Sequence, residues 1–236
     1  MSYVLYSARN SYERGEMISV ERITRAFNEA TREFSDSEEY QSLACGHAST
    51  EAAHEFIRNV FRTHYLSAHI VALCFAALPS NADELLKENL LEEMGRSEKE
   101  KPHSALLVEL VRGIGFPENE VDQLITDARK RVAIFCATRV PVATLRELCL
   151  SLLLETMSFE FMLSRCSSEI ATALTNHYSI PKAALLWFEL HYVLKYQYRG
   201  KRLHCHFHEL LRLALDIFLH FYLIQKKWRL YYIFLK

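Results

Sequence analysis

The sequence predicts an all-α fold, a compact bundle of about seven or eight helices. Three observations carry this. The 236 residues hold only six glycines and five prolines, too few to punctuate an all-β domain. Apolar residues recur with a period near 3.6 along almost the whole chain. Capping and stop signals fall between the periodic segments.

The elements follow in order. Residues 19–34 form the first expected helix, stopped by the polar run "SDSEE". A long helix is expected over 50–78, with Thr50 as its cap and Pro79 beyond its end. In "SNADELLKENLLEEMG", Ser80 or Asn81 can cap, acidic residues fill the first turn, and Gly95 can end the helix. Pro102 suits the first position of a helix reaching Ile114. After the turn "GFPENE" a helix runs to Cys136, and another covers 142–164. "NHYSIPK" breaks the pattern, and Pro181 opens a helix carrying "AALLWFELHYVL". The chain from Lys195 to Lys236 is helix-compatible but different in character.

Composition narrows the function classes. Half of the residues are apolar and 24% are charged, as in a soluble globular protein. The net charge of -1 gives no electrostatic reason to expect nucleic acid as a partner. The six cysteines are scattered without a CxxC pair, which excludes a zinc ribbon and a thioredoxin-type site. Reduced, isolated cysteines in apolar stretches point to the cytoplasm. No Gly-rich phosphate loop and no GxSxG elbow is present.

Four residues stand out as candidate metal ligands. Glu155 lies in the stripe Leu148, Leu152, Phe159, Met162 of one expected helix. A carboxylate facing a core needs a cation, a proton or strong donors. The alternative is a boundary glutamate paired with Arg146 or Arg165. His191 shares a face with Ala184, Trp187, Phe188 and Leu194, where a hydrogen-bonded core histidine is the alternative to a ligand. Glu92 and His103 flank Gly95 and a short charged loop. Together the four supply two carboxylates and two imidazoles from facing helices, the way bundles build di-iron sites. Such oxygen and nitrogen donors suit iron, with manganese as the alternative. His54, Glu55, His64 and His69 share no single helical face and read as structural or surface groups. In "HCHFH", His204 and His208 stand one turn apart, a spacing that can hold a metal.

These motifs resemble the haem-oxygenase-like di-metal oxidases. "KENLLEEMG" followed by "PHSALLVELVRGIGF" is similar to that family's glutamate helix and following histidine. "LCLSLLLETMSFEF" is similar to its second glutamate helix, and "LLWFELHYVL" to the helix that opens with a ligand histidine. The resemblance spans roughly residues 50 to 194 and implies a haem-oxygenase-like bundle. It implies Glu92, His103, Glu155 and His191 as metal ligands of a di-iron centre that activates dioxygen to oxidise a small organic molecule. The family pattern continues with an acid and a second histidine, where this chain has Lys195 and Tyr198. A protonated lysine cannot ligate a cation. A non-catalytic interaction protein on a decayed scaffold, holding no metal, is therefore the competing reading, with cofactor-independent oxidation a third.

The departure coincides with a shift in composition. Residues 195–236 hold nine of the 28 basic and two of the 29 acidic residues, a balance of +7. That leaves 19 basic and 27 acidic residues in 1–194, a balance of -8. Residues 1–194 read as the bundle domain and 195–236 as an atypical basic, aromatic segment completing or flanking it, or one whose reading frame is not ancestral. The expected partners are a small-molecule substrate and dioxygen, a second copy in a homodimer, and a membrane surface met by the tail.

Overall fold

The computed structural model describes residues 20–77, 83–97, 100–137 and 145–197. Among them every regular element is helical, as the periodicity predicts. The helices are α1 (Val20–Ser35), α2 (Glu38–Ala44), α3 (Thr50–His64), α4 (Ser67–Ala77) and α5 (Asp83–Met94). They continue with α6 (His103–Gly113), α7 (Glu118–Ala137), α8 (Leu145–Tyr178), a 3-10 turn (Lys182–Leu185) and α9 (Leu186–Gln197). Tyr198, the 204–208 histidines and the expected tail helix lie outside the described residues.

Several elements depart from expectation for physical reasons. The "SDSEE" run does not stay outside helices: Ser37 accepts a hydrogen bond from Tyr40 N at 3.2 Å and caps α2. Tyr40 then donates to Glu169 Oε2 at 2.6 Å, tying this short helix to α8. Ser49, rather than Thr50, caps α3 by accepting from Ala52 N at 3.1 Å. The expected 50–78 helix breaks at Tyr65 and Leu66. There Thr63 Oγ1 donates to Asn59 O at 2.8 Å and His64 Nδ1 lies 3.0 Å from Val60 O. Side chains bonded to the carbonyls of the last turn compete with its continuation. Among the described residues, 50–77 is the one stretch long and apolar enough by composition to cross a membrane. The break divides it, and its halves bury Ile57, Val60 and Phe61 on one side of the break and Val71 and Cys74 on the other.

Gly95 ends α5 as expected, in the left-handed region at φ 81°. The helix expected over 142–164 instead runs on to Tyr178, because "RCSSEIATAL" keeps Cys166, Ile170, Ala173 and Leu174 on one buried face. Ser179, at φ 56°, turns the chain out of it.

At about 1.5 Å per residue, the 34-residue α8 is roughly 51 Å long. It packs against α1, α2, α3, α4 and α9. Two apolar clusters form along it. One joins Phe27 of α1, Cys74 of α4 and Leu86 of α5 to Cys149, Leu153 and Met157 of α8. The other joins α2, α3, α6, α7, α9 and the 3-10 turn to Leu163, Cys166, Ile170 and Leu174 of α8. Between Met157 and Leu163 the same face of α8 carries Glu160.

The second cluster is tight where α6 meets the 3-10 turn. A Cβ built on Gly113 would lie 2.1 Å from Ala184 Cβ. Gly113→Ala is expected to destabilise the protein by about 1–3 kcal/mol through overpacking, read as a lower urea midpoint at unchanged slope. An unchanged midpoint would mean that the turn yields freely.

Candidate metal centre

The candidate site lies where three helix ends and the middle of α8 meet. Glu93, on the last turn of α5, is 5% exposed. It falls two turns after buried Leu86 on the same helical face. His103 is the first residue of α6 and is 8% exposed. Its Nδ1 stands 3.3 Å from Glu93 Oε1, and Ser67, opening α4, donates to Glu93 Oε2.

Both members of this pair sit at the unfavourable pole of their helix, a carboxylate at a C-terminus and an imidazole at an N-terminus. Mutual neutralisation offsets this. Burial pushes Glu93 upward, but the hydrogen bond and charge of His103, with the Ser67 bond, outweigh it and hold the carboxyl below its ordinary value. Burial pulls His103 down, but Glu93 outweighs it and raises the imidazole. The two shifts are reciprocal: each partner favours the charged form of the other.

His191, on α9, is 2% exposed. Its Nδ1 lies 2.7 Å from the Trp187 carbonyl. A carbonyl oxygen only accepts, so Nδ1 carries the ring proton and Nε2 keeps a lone pair. Burial drives its pKa down to about 3, against the opposing Trp187 bond, so the ring is neutral. Nε2 faces Glu160 Oε1 at 3.8 Å, too far for a direct hydrogen bond. Burial, then the charge of Glu93, raises Glu160 to about 8, so near neutrality that carboxyl is held mostly protonated. The His103 and His191 rings are 5.4 Å apart, centre to centre. Trp187, 1% exposed, packs 4.3 Å from His191.

The four residues singled out in the sequence are placed as follows. His103 and His191 come together. Glu92 forms an ion pair with Arg96, and its charge still raises His103 and Glu160, so it sits at the edge of the site while Glu93 touches the histidine. Glu155 is half-buried on its stripe, one turn before Phe159, whose ring lies 5.7 Å from His64. Lys195 lies on the backbone of α9, and its side chain is outside the described residues.

Sequence reasoning favoured Glu92 over its neighbour Glu93 and did not single out Glu160. The signal for Glu160 was present. Leu153, Met157, Leu163, Ser167, Ile170 and Leu174 are all buried on α8, and Glu160, itself half-buried, falls in register with them three before Leu163. The stripe holding Leu152, Phe159 and Met162 is only half-buried.

The donor set fits iron in kind: carboxylate oxygens and imidazole nitrogens, with no thiolate among them. Among the described residues, no three His, Cys, Asp or Glu side chains stand close enough together to hold a metal ion as they are. Ligation would therefore require the two pairs to close, displacing the proton that Glu160 holds near neutrality. The model of a family described as iron-containing redox enzymes matches residues 54–206. That span includes His64, Glu93, His103, Glu160 and His191, and it runs past Lys195 and Tyr198. No curated protein matches the chain.

Proposed function

Because the chain belongs to the iron-containing redox enzymes of the haem-oxygenase-like superfamily, we propose that it holds iron through His103, Glu160, His191 and the adjacent carboxylates Glu92 and Glu93. We propose further that it uses the metal to activate dioxygen for oxidation of a small organic molecule. The observation that carries this is the buried meeting of His103 and His191, 5.4 Å apart, each facing its own glutamate. When bound, iron supplies the electrons and open coordination positions that dioxygen chemistry requires.

The chain's own residues do the rest. Trp187, 4.3 Å from His191, gives the site an apolar wall, which favours an apolar or aromatic substrate group. The Trp187 carbonyl fixes the tautomer and orientation of His191. Ser67 fixes Glu93 from the side opposite His103. Without metal, Glu160, its pKa raised to about 8, holds a proton near neutrality that ligation would displace.

Elemental analysis after anaerobic ferrous loading tests the reading. One or two irons per chain are expected, with Glu160→Ala and His191→Ala each retaining a small fraction of that, about 10% or less if affinity drops 100-fold or more. Iron kept by both variants, or none bound by the native chain, would leave a non-catalytic scaffold as the better reading. Glu92→Gln and Glu93→Gln, run alongside, identify which of the adjacent carboxylates ligates.

A further inference from the structure

Two buried thiols meet where α4 packs on the first turns of α8. Cys74 and Cys149 stand 75 positions apart in the chain, so no sequence spacing marks them as a pair. Both are buried in the cluster that joins α1, α4 and α5 to α8. Cys74 Sγ donates to the Cys149 carbonyl at 3.4 Å. Cys149 Sγ donates back to the carbonyl of Leu73, beside Cys74, at 3.7 Å. Each sulfur thus reaches across to the main chain of the other helix, and the two thiols come within hydrogen-bond reach of one another. The other two cysteines among the described residues lie elsewhere. Cys45 is exposed at the end of α2, and Cys166 is buried in the second cluster.

A single buried cysteine is an inert small hydrophobe. Two in contact carry a further chemistry, because an S–S bond of about 2 Å forms between sulfurs on closely spaced backbones. The pair is asymmetric. The bond shared with Cys149, then burial, raises the Cys74 thiol. The same bond lowers Cys149 against the effect of burial. Cys149 is therefore the sulfur that ionises first and attacks. A small oxidant has a short way in. Along α4 the buried residues are Val71 and Cys74, and Phe75 and Ala76 next to Cys74 are exposed, so local opening at this helix end uncovers the sulfur.

We propose that Cys74 and Cys149 form a site of reversible oxidation, closed by hydrogen peroxide into a disulfide that staples α4 to α8. The Cys149 sulfur attacks one peroxide oxygen, the O–O bond breaks, and one water leaves, with a sulfenic acid remaining on Cys149. The Cys74 sulfur then attacks the Cys149 sulfur. The S–S bond forms, the S–O bond breaks, and a second water leaves with the Cys74 proton. The two thiols lose two electrons and two protons, and one peroxide becomes two waters. The staple anchors the helix whose first residue, Ser67, holds Glu93. The inference does not depend on the iron-site reading above.

The test treats the full native chain with hydrogen peroxide, unfolds it in an alkylating agent and digests it without reductant. Mass spectrometry is expected to find one peptide pair joining the Cys74 and Cys149 segments, two hydrogens lighter than the free-thiol peptides together. Dithiothreitol should abolish it. The oxidised chain should unfold at a higher urea midpoint than the reduced one. Cys149→Ala should yield no linked pair, and Cys166→Ala should still yield it. Full alkylation of both thiols, at a peroxide dose that oxidises exposed Cys45, would overturn the proposal and leave them as core packing. Linkage of either one to a different cysteine, or a linked pair formed only when peroxide is added in urea, would overturn it as well. A linked chain with a lowered midpoint would overturn the staple, because the bond would then distort the native crossing.

Discussion

Trp187→Ala is expected to cost about 3–5 kcal/mol of stability, the largest effect of any single substitution in the described core. The indole is 1% exposed and packs against Phe188 at 5.0 Å, His64 at 5.1 Å and His191 at 4.3 Å. Its removal leaves a void that the surrounding helices cannot fully close, because the neighbouring ring on α9 is held by a backbone bond. Domains of this kind have about 5–15 kcal/mol in total, so the variant keeps only a small margin. Urea unfolding measures it, with Trp187→Phe expected to recover more than half of the loss. A Trp187→Ala loss below 1 kcal/mol would mean that the indole is not packed as described. The same substitution removes the wall shared by His64 and His191, so metal affinity is expected to drop along with stability.

A second large effect is expected from pH. The proposed metal binding would take the ionised form of Glu160, whose pKa is raised to about 8 by burial and by the charge of Glu93. Below that value each bound cation must release a proton. Apparent ferrous affinity is therefore expected to rise by about 100-fold between pH 6 and pH 9 from Glu160 alone. The raised His103 adds to the slope. In Glu160→Gln the steep part of this dependence should vanish, since an amide has no proton to release.

The metal-free protein should run the other way. A carboxyl whose folded pKa exceeds its unfolded value binds its proton more tightly when folded. Its contribution is present below the unfolded value of 4.5 and is lost as pH rises through about 8. The Glu160 side chain keeps 35% of its surface, so solvent screening shrinks this below the full linkage value. His103, also raised, loses its contribution in the same direction. Glu93, held low, loses its own only as pH falls into acid. Thermal unfolding without metal, followed from pH 5 to pH 9, should show declining stability while metal affinity climbs. Parallel rises in both would contradict the protonation states assigned here.

The helical fold was legible because the 3.6-residue period runs through nearly every segment, and only tertiary effects escaped it. No glycine or proline marks the α3–α4 break, which is made by Thr63 and His64 bonding back to their own helix. The seven residues of α2 are too few for a period to show, and Tyr40 reaches 129 positions along the chain for its partner. In the site, His103 and His191 were legible as polar residues on apolar faces. Choosing between Glu92 and Glu93, or Glu155 and Glu160, needs the rotation of each helix about its axis. Adjacent residues differ by about 100° and five positions by about 140°. On α8 two stripes compete, and only the neighbours decide which one turns inward.

The division of the apolar interior into two clusters along α8 has a consequence for cooperativity. Clusters joined by one long helix, and by the narrower seam where α5 meets α6 and α1 meets α2, can open as separate units, each with its own local unfolding free energy. Glu93 comes from the half built on α1, α4 and α5, and His191 from the other, with Glu160 on the strut between them. A cation gripped by all three binds only when both halves are closed, so its binding free energy is added to the opening cost of each. Loaded, the molecule should exchange its amide hydrogens as one unit; stripped, as two, with α5 opening ahead of α9.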